Sequence, residues 1–484
     1  RYPIWLVMIV STFICTGCLA QGGSSERTKA EQRPDTQQAA TVFANAIGEQ
    51  KGSVVLGCPT ENSVAFSLLS DSDADVVLVY GIEGKRLPRE GHKLHLAAGV
   101  PSKVTIEGLT ANAKYEYAVL DIKDGRRLMP ADRNGFFHTA RGSGQSFKFI
   151  IQADSHMDSS CRPEVYRRTL TDIAAESADF LIDLGDTFMT EKHISSAEAD
   201  KQYAAQHKYL GLAGRTTPVY LVPGNHDGEG GNRRWQDMNE SMGTWAQKTR
   251  SKYFATPSQG RFYTGNVTRS DSGGLAADYY AWEWGDALFI VLNPYAASQP
   301  TKGGREPWNM TLGKAQYDWL AQTLAKSSAR FKFVFVHQLT GSYHRAGRGG
   351  AEAAAYQEWG GKDIDGNDTF AKNRPGWQVP IHRLLVANGV AAVFHGHDHF
   401  YARQSLDGIV YQLVPQPSNP SGNTHAAEYG YRDGVFLPGP GYMCVTVEAN
   451  RASAEYIHTS SDSTDKRRTV GDSYYLYPQS GGRK

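Results

Sequence analysis

Histidine, aspartate and asparagine side chains occur together in five short blocks of the sequence. In chain order these are Asp154-Ser155-His156, Gly185-Asp186, Gly224-Asn225-His226-Asp227, His337 and Gly396-His397-Asp398-His399. Imidazole, carboxylate and carboxamide groups suit zinc, manganese or iron better than calcium or copper(I). Two carboxylates, four imidazoles and one carboxamide exceed the ligand set of a structural zinc site, but they fit two ions that share a bridging carboxylate. Sites with two such ions hydrolyse phosphate esters.

Each block is predicted to follow a buried β-strand. Apolar runs precede the blocks at residues 147–153, 180–184, 217–222, 331–336 and 390–394, another lies at 287–292, and helical patterns cover 164–175, 202–212, 314–325 and 379–388. Apolar strands that alternate with helices indicate sheets covered by helices. Because ligands gather at the carboxyl ends of strands in such sheets, we expect the five blocks to converge in space. Glycine before Asp186, Asn225 and His397 permits the sharp turns that this requires.

In order and spacing, the five blocks resemble the calcineurin-like metallophosphoesterase pattern DxH, GDxx, GNH(D/E), H and GHxH, between residues 146 and 410. The resemblance implies an α/β fold, a four-layer αββα sandwich. It also implies two divalent or trivalent ions (Fe, Mn or Zn) and hydrolysis of phosphate mono- or diesters by a metal-bound hydroxide. It assigns Asp154, His156 and His399 to one ion, Asn225, His337 and His397 to the other, and Asp186 to the bridge. His226 would donate a proton to the leaving group, with Asp227 orienting the His226 ring.

Residues 51–141 have the pattern of an all-β sandwich. Short β-rich runs at 76–80, 103–106 and 115–120 are separated by Gly, Pro and Asp clusters. Residues 108–117 resemble the tyrosine-corner segment of fibronectin type III domains, with Tyr115 at the corner. The catalytic domain is predicted at 145–484, with a β-rich C-terminal part. A β-sandwich ahead of such a domain resembles the arrangement in the purple acid phosphatases. His156 and Met189 replace the Gly and the metal-bound Tyr of that subfamily, so a tyrosinate–iron(III) centre is not implied.

Residues 1–20 have the features of an export signal. The apolar run at 4–14 follows Arg1 and is too short to span a bilayer. Small residues before Cys18 resemble a bacterial lipobox, in which Cys18 would carry the lipid; ordinary secretion with cleavage near Ala20 is the alternative. Residues 22–38 are polar, and residues 21–50 are predicted to form a flexible tether. Both alternatives place the protein in the bacterial periplasm, at the cell surface or outside the cell.

Composition restricts the possible partners. The 484 residues contain 51 Lys and Arg against 50 Asp and Glu, a net charge of +1, so no basic surface for nucleic acid is evident. The expected partner is a small phosphorylated substrate, and the membrane is reached only through the lipid anchor. Five cysteines are too few for a disulfide scaffold, and Cys58, Cys161 and Cys444 allow at most one internal disulfide.

Two long segments, 228–275 and 341–376, lack clear periodicity and are predicted to be functional loops. They carry four candidate substrate-binding residues, which are equally explained as solvated loop charges: Arg233, Arg234, His344 and Arg345. The motifs do not separate monoesters from diesters, a distinction expected to lie in segment 228–275. The alternative functions are a surface protein whose sandwich binds carbohydrate or protein beside a secondary metal site, and a hydrolase of another ester.

Overall fold

The computed structural model describes residues 42–43, 45–47, 51–88, 90–129, 133–228, 234–236, 238–268, 277–298, 307–342, 348–462 and 467–479. The signal segment, with Cys18, lies outside these residues. Among the described residues, no helix is both long enough and apolar enough to cross a membrane. Cys58, Cys161 and Cys444 are free thiols.

The N-terminal strands form two antiparallel sheets around a shared apolar core. The strands are β1 (Gly52–Gly57), β2 (Val64–Ser70), β3 (Ala74–Ile82), β4 (His92–Leu96), β5 (Ser102–Ile106), β6 (Lys114–Asp121), β7 (Arg127–Met129) and β8 (Gly135–His138). One sheet has the order β1-β2-β5 and the other β4-β3-β6-β7, with β8 also paired to β6. Phe66, Tyr117 and Phe137 pack in the core between them. The Tyr115 hydroxyl accepts a hydrogen bond from the Thr110 N–H at 2.8 Å, the contact expected of a tyrosine corner.

A six-stranded sheet carries the first three blocks of polar residues. Its order is β11-β10-β9-β20-β21-β22, formed by β9 (Phe147–Gln152), β10 (Phe180–Asp183), β11 (Val219–Leu221), β20 (Gly441–Val447), β21 (Ala452–His458) and β22 (Thr469–Leu476). Strands β9, β10 and β11 are parallel. Their carboxyl ends therefore lie at one edge. The helices α1 (Pro163–Ala175) and α2 (Ser196–Gly214) pack on one face of this sheet.

An eight-stranded sheet carries the remaining blocks. Its order is β12-β13-β14-β15-β16-β18-β17-β19, formed by β12 (Thr264–Gly265), β13 (Tyr280–Trp284), β14 (Ala287–Leu292), β15 (Phe331–Val336), β16 (Ala392–His395), β17 (Tyr401–Leu406), β18 (Ile409–Leu413) and β19 (Val435–Leu437). Strands β14, β15 and β16 are parallel. Residues from segments 313–326 and 381–387, which are helices, pack on one face of this sheet.

Aromatic side chains fill the space between the two large sheets. The Phe149 ring on β9 lies 5.1 Å from Phe289, 6.2 Å from Phe335 and 6.4 Å from Phe394, measured between centroids. Helices therefore cover the outer face of each sheet, and the inner faces share one core. This is the four-layer αββα sandwich that the sequence predicted.

Helices also occur in the two segments predicted to be loops. Segment 228–275 contains α3 (Met242–Tyr253). Segment 341–376 contains the short helices α5 (Gly350–Ala353), α6 (Gln357–Gly360) and α7 (Phe370–Asn373), while α4 (Gly313–Lys326) and α8 (Ile381–Ala387) lie outside the two segments. The buried face of α3 includes Thr249 and Arg250. Because these side chains are polar, the apolar pattern did not reveal the helix.

The predicted tether and the sandwich both contact α2. Phe43 and Ile47, four residues apart, are buried in the core that contains α2, so the prediction of a flexible tether through residue 50 is wrong for this part. On the sandwich side, His207 of α2 lies between two hydroxyls. Its Nδ1 is 2.7 Å from Ser53 Oγ and its Nε2 is 3.1 Å from Ser67 Oγ.

Candidate metal centre

The loops that follow the parallel strands hold their polar residues in an uncommon backbone conformation. Positive φ angles occur at Asp154 (58°), His156 (52°), Asp186 (53°), His397 (83°) and His399 (70°). Non-glycine residues rarely adopt this region, and each such residue costs of order 1–3 kcal/mol. Strain of this kind gathers at functional sites, where the surrounding structure imposes it.

Glycines let these loops approach one another closely. A Cβ atom at Gly224 would overlap the backbone nitrogen and Oδ1 of Asp186, and one at Gly396 would lie 2.7 Å from Oδ2 of Asp154. Any larger residue at either position would push a carboxylate out of place. The glycines predicted to permit sharp turns therefore also permit close contact between blocks.

One group of potential ligands consists of Asp154, His156 and His399, each offering an atom within 4.8 Å of the others. Oδ1 of Asp154 is 3.6 Å from Nε2 of His399 and 3.8 Å from Nε2 of His156. Nδ1 of His156 donates to Asp158 at 3.2 Å, so the Nε2 lone pair faces the group. Asp154 Oδ1 and His156 Nε2 are buried and have no hydrogen-bond partner among the described residues. Unpaired buried acceptors of this kind fit a bound cation.

The second group consists of Asp186, His337 and His397, also within 4.8 Å of one another. Nδ1 of His337 donates to the Leu184 carbonyl at 2.8 Å, so Nε2 is the ring atom that faces Asp186 Oδ2, 3.2 Å away. Asn225 Oδ1 is 3.1 Å from the same Nε2. Asp186 Oδ2 also lies 3.6 Å from His156 of the first group, so Asp186 is positioned between the two.

The charges of the two groups favour a cation between them. Burial lowers the pKa of His337, but the carboxylates of Asp186 and Asp154 outweigh it and raise the value to about 9. Burial raises the pKa of Asp186, yet His337 and its neighbours hold it well below its ordinary value. The raised pKa of His337 shows that the two carboxylates concentrate negative charge here, and a bound cation would neutralise it.

His226 adjoins the two groups, and its ring centroid is 5.8 Å from that of His156. Its backbone N–H donates to Asp186 Oδ1 at 2.7 Å, and its Nδ1 donates to Glu191 Oε1 at 2.6 Å. Burial lowers the pKa of His226 to about 4, whereas a carboxylate at Nδ1 favours the protonated ring. Glu191, in the 3₁₀ turn at Thr190–Lys192, was not found from the sequence.

The prediction that Asp227 orients the His226 ring is wrong. The Asp227 carboxylate accepts four backbone N–H bonds at 2.8–3.0 Å, from Asp186, Thr187, Phe188 and Gly224. It therefore joins the second and third blocks and fixes the backbone at Asp186. The Asp183 carboxylate has a similar structural role, accepting from Gln152, Gly185 and Thr187.

The candidate substrate-binding residues fall mostly outside the described part of the chain. Arg233, His344 and Arg345 lie there, and Arg234 is exposed. The structure instead places Arg348, three residues after Arg345, with Nη2 at 3.2 Å from Nε2 of His397. No motif in the sequence points to Arg348, because its contacts with His397 and Asp398 join residues 49 and 50 positions apart.

A sequence profile of the calcineurin-like phosphoesterase family matches residues 147–401, just over half of the chain. The chain belongs to the calcineurin-like phosphoesterase family. It is therefore a metal-dependent phosphoester hydrolase, and the family resemblance read from the five blocks is confirmed. No curated protein has a significant sequence match to this phosphoesterase.

Solved structures share the fold of this phosphoesterase. It is similar to a structure described as PhoD, with a TM-score of 0.60 and 14% identity over 88% of this chain and 90% of that chain. It is also similar to the purple acid phosphatase PPD1 from yellow lupin (Lupinus luteus) seeds, with a TM-score of 0.54 and 14% identity over 88% of this chain and 74% of that chain. Both matches extend beyond the αββα layers, since those layers occupy residues 147–476 and each match covers 88% of the chain.

Proposed function

We propose that this phosphoesterase is an exported enzyme that holds two metal ions and hydrolyses phosphate mono- or diesters. The observation that carries the proposal is the pair of three-residue groups with Asp186 between them. Asp154, His156 and His399 would hold one ion, Asn225, His337 and His397 the other, and Asp186 both. Iron, manganese or zinc suits this donor set. When bound, two such ions supply a nucleophile from water at neutral pH and neutralise charge on the phosphoryl oxygens.

The chain's own residues prepare the site for that chemistry. Asp158 and the Leu184 carbonyl each accept a hydrogen bond from Nδ1 of a histidine and so turn Nε2 of His156 and His337 towards the site. We assign His226 as the group that gives a proton to the leaving oxygen or stabilises its charge, with Glu191 holding its ring. Replacing His226 with Ala should lower turnover more than metal content. Equal loss of both would make His226 a structural or ligating residue.

The experiment is metal analysis combined with hydrolysis of 4-nitrophenyl phosphate and bis(4-nitrophenyl) phosphate by metal-reconstituted protein. Two ions per chain and hydrolysis of at least one ester are expected. Asp186→Asn should lose both, because it removes the carboxylate charge shared by the two groups. Asp318→Asn, the same change at a partly exposed carboxylate on α4, is the matched control. Activity that survives in Asp186→Asn would refute the two-metal assignment.

Export and lipid attachment rest on the sequence of the first 20 residues. A lipid on Cys18 predicts that the full chain partitions into the detergent phase of Triton X-114 and that Cys18→Ala moves it to the aqueous phase. Ordinary secretion with cleavage near Ala20 predicts the aqueous phase for both proteins.

A further inference from the structure

Asp398, between the two histidines of the last block, has no place in either group of potential ligands. Its side chain is 1% exposed, and its Oδ1 forms an ion pair with Nε of Arg348 at 2.9 Å. The Tyr431 hydroxyl donates to its Oδ2 at 2.8 Å. A buried carboxylate is costly unless it is paired, so the charge of Asp398 favours keeping the Arg348 guanidinium beside it.

Arg348 is also held from two other sides. Its guanidinium lies 4.1 Å from the centroid of the Tyr429 ring, a cation–π contact. Its backbone N–H donates to the Tyr429 carbonyl at 2.9 Å, and its carbonyl accepts from the Ser342 hydroxyl. The side chain is 25% exposed, so the guanidinium is fixed but still accessible.

The remaining contact of the guanidinium is with the metal centre. Nη2 of Arg348 lies 3.2 Å from Nε2 of His397, which has a single lone pair. In the loaded protein a guanidinium beside cations is repelled unless an anion lies between them. The place next to Arg348 and the second group of ligands therefore suits an anionic oxygen.

We propose that Arg348 binds a non-bridging oxygen of the substrate phosphate and that this contact makes the enzyme prefer phosphomonoesters to phosphodiesters. The inference rests on the two-metal function proposed above. A monoester carries up to two negative charges on three non-bridging oxygens, whereas a diester carries one charge on two. An added fixed guanidinium thus attracts the monoester more strongly and has an oxygen to bind after the metals have taken theirs. Asp398 and Tyr429 are positioning residues, which act only through Arg348.

The test compares wild type, Arg348→Met and Arg432→Met, each with its two metals. Arg432, exposed and adjacent to Tyr431, is the matched control. Loss of a hydrogen bond to a charged group should lower kcat/KM for 4-nitrophenyl phosphate about 10- to 100-fold in Arg348→Met. The value for bis(4-nitrophenyl) phosphate should change less than about threefold, because its single charge gains less from the guanidinium. Inorganic phosphate, titrated calorimetrically into the loaded protein, should bind more weakly by a factor similar to the loss for the monoester.

A positioning variant separates orientation from charge. Tyr429→Leu keeps the guanidinium and removes the ring beside it, so it should give a smaller loss for the monoester and for inorganic phosphate in the same direction. Equal losses for both esters, unchanged phosphate affinity, or loss of metal from Arg348→Met would each overturn the inference. A wild-type protein that holds two metals and hydrolyses neither ester would instead refute the proposed function. These outcomes are distinguishable, because the second concerns wild type alone.

Discussion

Protonation of His207 should loosen the contact between α2 and the sandwich. Ser67 gives its only hydroxyl proton to the Tyr253 carbonyl, so His207 Nε2 must donate to Ser67 Oγ. In the neutral ring, Nδ1 accepts from the Ser53 hydroxyl. The ring is fully buried, which favours the neutral form. Burial lowers its pKa from 6.5 to about 3, only partly offset by its contact with Ser67.

The sign and size of the effect follow from this shift. The unfolded chain binds a proton at His207 below pH 6.5 and the folded chain does not, so the stabilisation is present above 6.5 and is lost as the pH falls from there towards 3. Each pH unit in this window is worth about 1.4 kcal/mol. Between pH 7 and pH 5 the loss amounts to about 2 kcal/mol of unfolding free energy.

The assay is urea unfolding of wild type and His207→Gln at pH 7 and pH 5, with a chelator present so that metal release does not contribute. Gln can accept from Ser53 and donate to Ser67 but does not titrate, so the pH dependence of the variant should be smaller by about 2 kcal/mol. His95→Gln, on an exposed strand of the sandwich, is the control. If wild type and His207→Gln lose the same free energy between the two pH values, the neutral buried state of His207 is refuted.

Three further changes test the site and the core. Glu191→Gln keeps an acceptor for His226 but removes the charge, so kcat should fall about tenfold with metal content unchanged; an unaltered kcat would exclude Glu191 from orienting the ring. Gly224→Ala places a Cβ against Asp186, so the variant should lose bound metal and activity together. Two ions per chain in elemental analysis of the variant would contradict this expectation. Phe149→Ala should lower the free energy of unfolding by about 3–5 kcal/mol, and a loss below about 1 kcal/mol in urea would contradict its place at the centre of the core.

The ligand set could be predicted because strand ends and motif order constrain it together. Asp154, Asp186 and Asn225 follow parallel strands of one sheet, so their convergence depends on topology and not on fine packing. Asp227 shows the limit of that reasoning. Adjacency to His226 suggested a side-chain contact, but a buried carboxylate is satisfied by whichever donors are nearest, and here these are backbone N–H groups of two loops.

The remaining parts depend on packing that a single sequence does not display. Glu191 contacts His226 only because the turn at Thr190–Lys192 lies against the third block in the folded chain. Arg348 reaches His397 because the buried Asp398 needs a partner from a distant loop. Helix α3 was missed because its buried face includes Arg250, a residue that the sequence pattern places at the surface. In the folded chain its guanidinium donates a hydrogen bond to the Ala277 carbonyl. In each case a polar group is buried next to a partner that only the folded chain supplies.

Each group of potential ligands draws on both large sheets. Asp154 and His156 follow β9 of the six-stranded sheet while His399 follows β16 of the eight-stranded sheet, and Asp186 faces His337 in the same way. Ions held there would cross-link the two large sheets at the edge where the parallel strands end. Metal loading should therefore resist sliding of one sheet over the other, and the cofactor would be as much a part of the scaffold as of the chemistry.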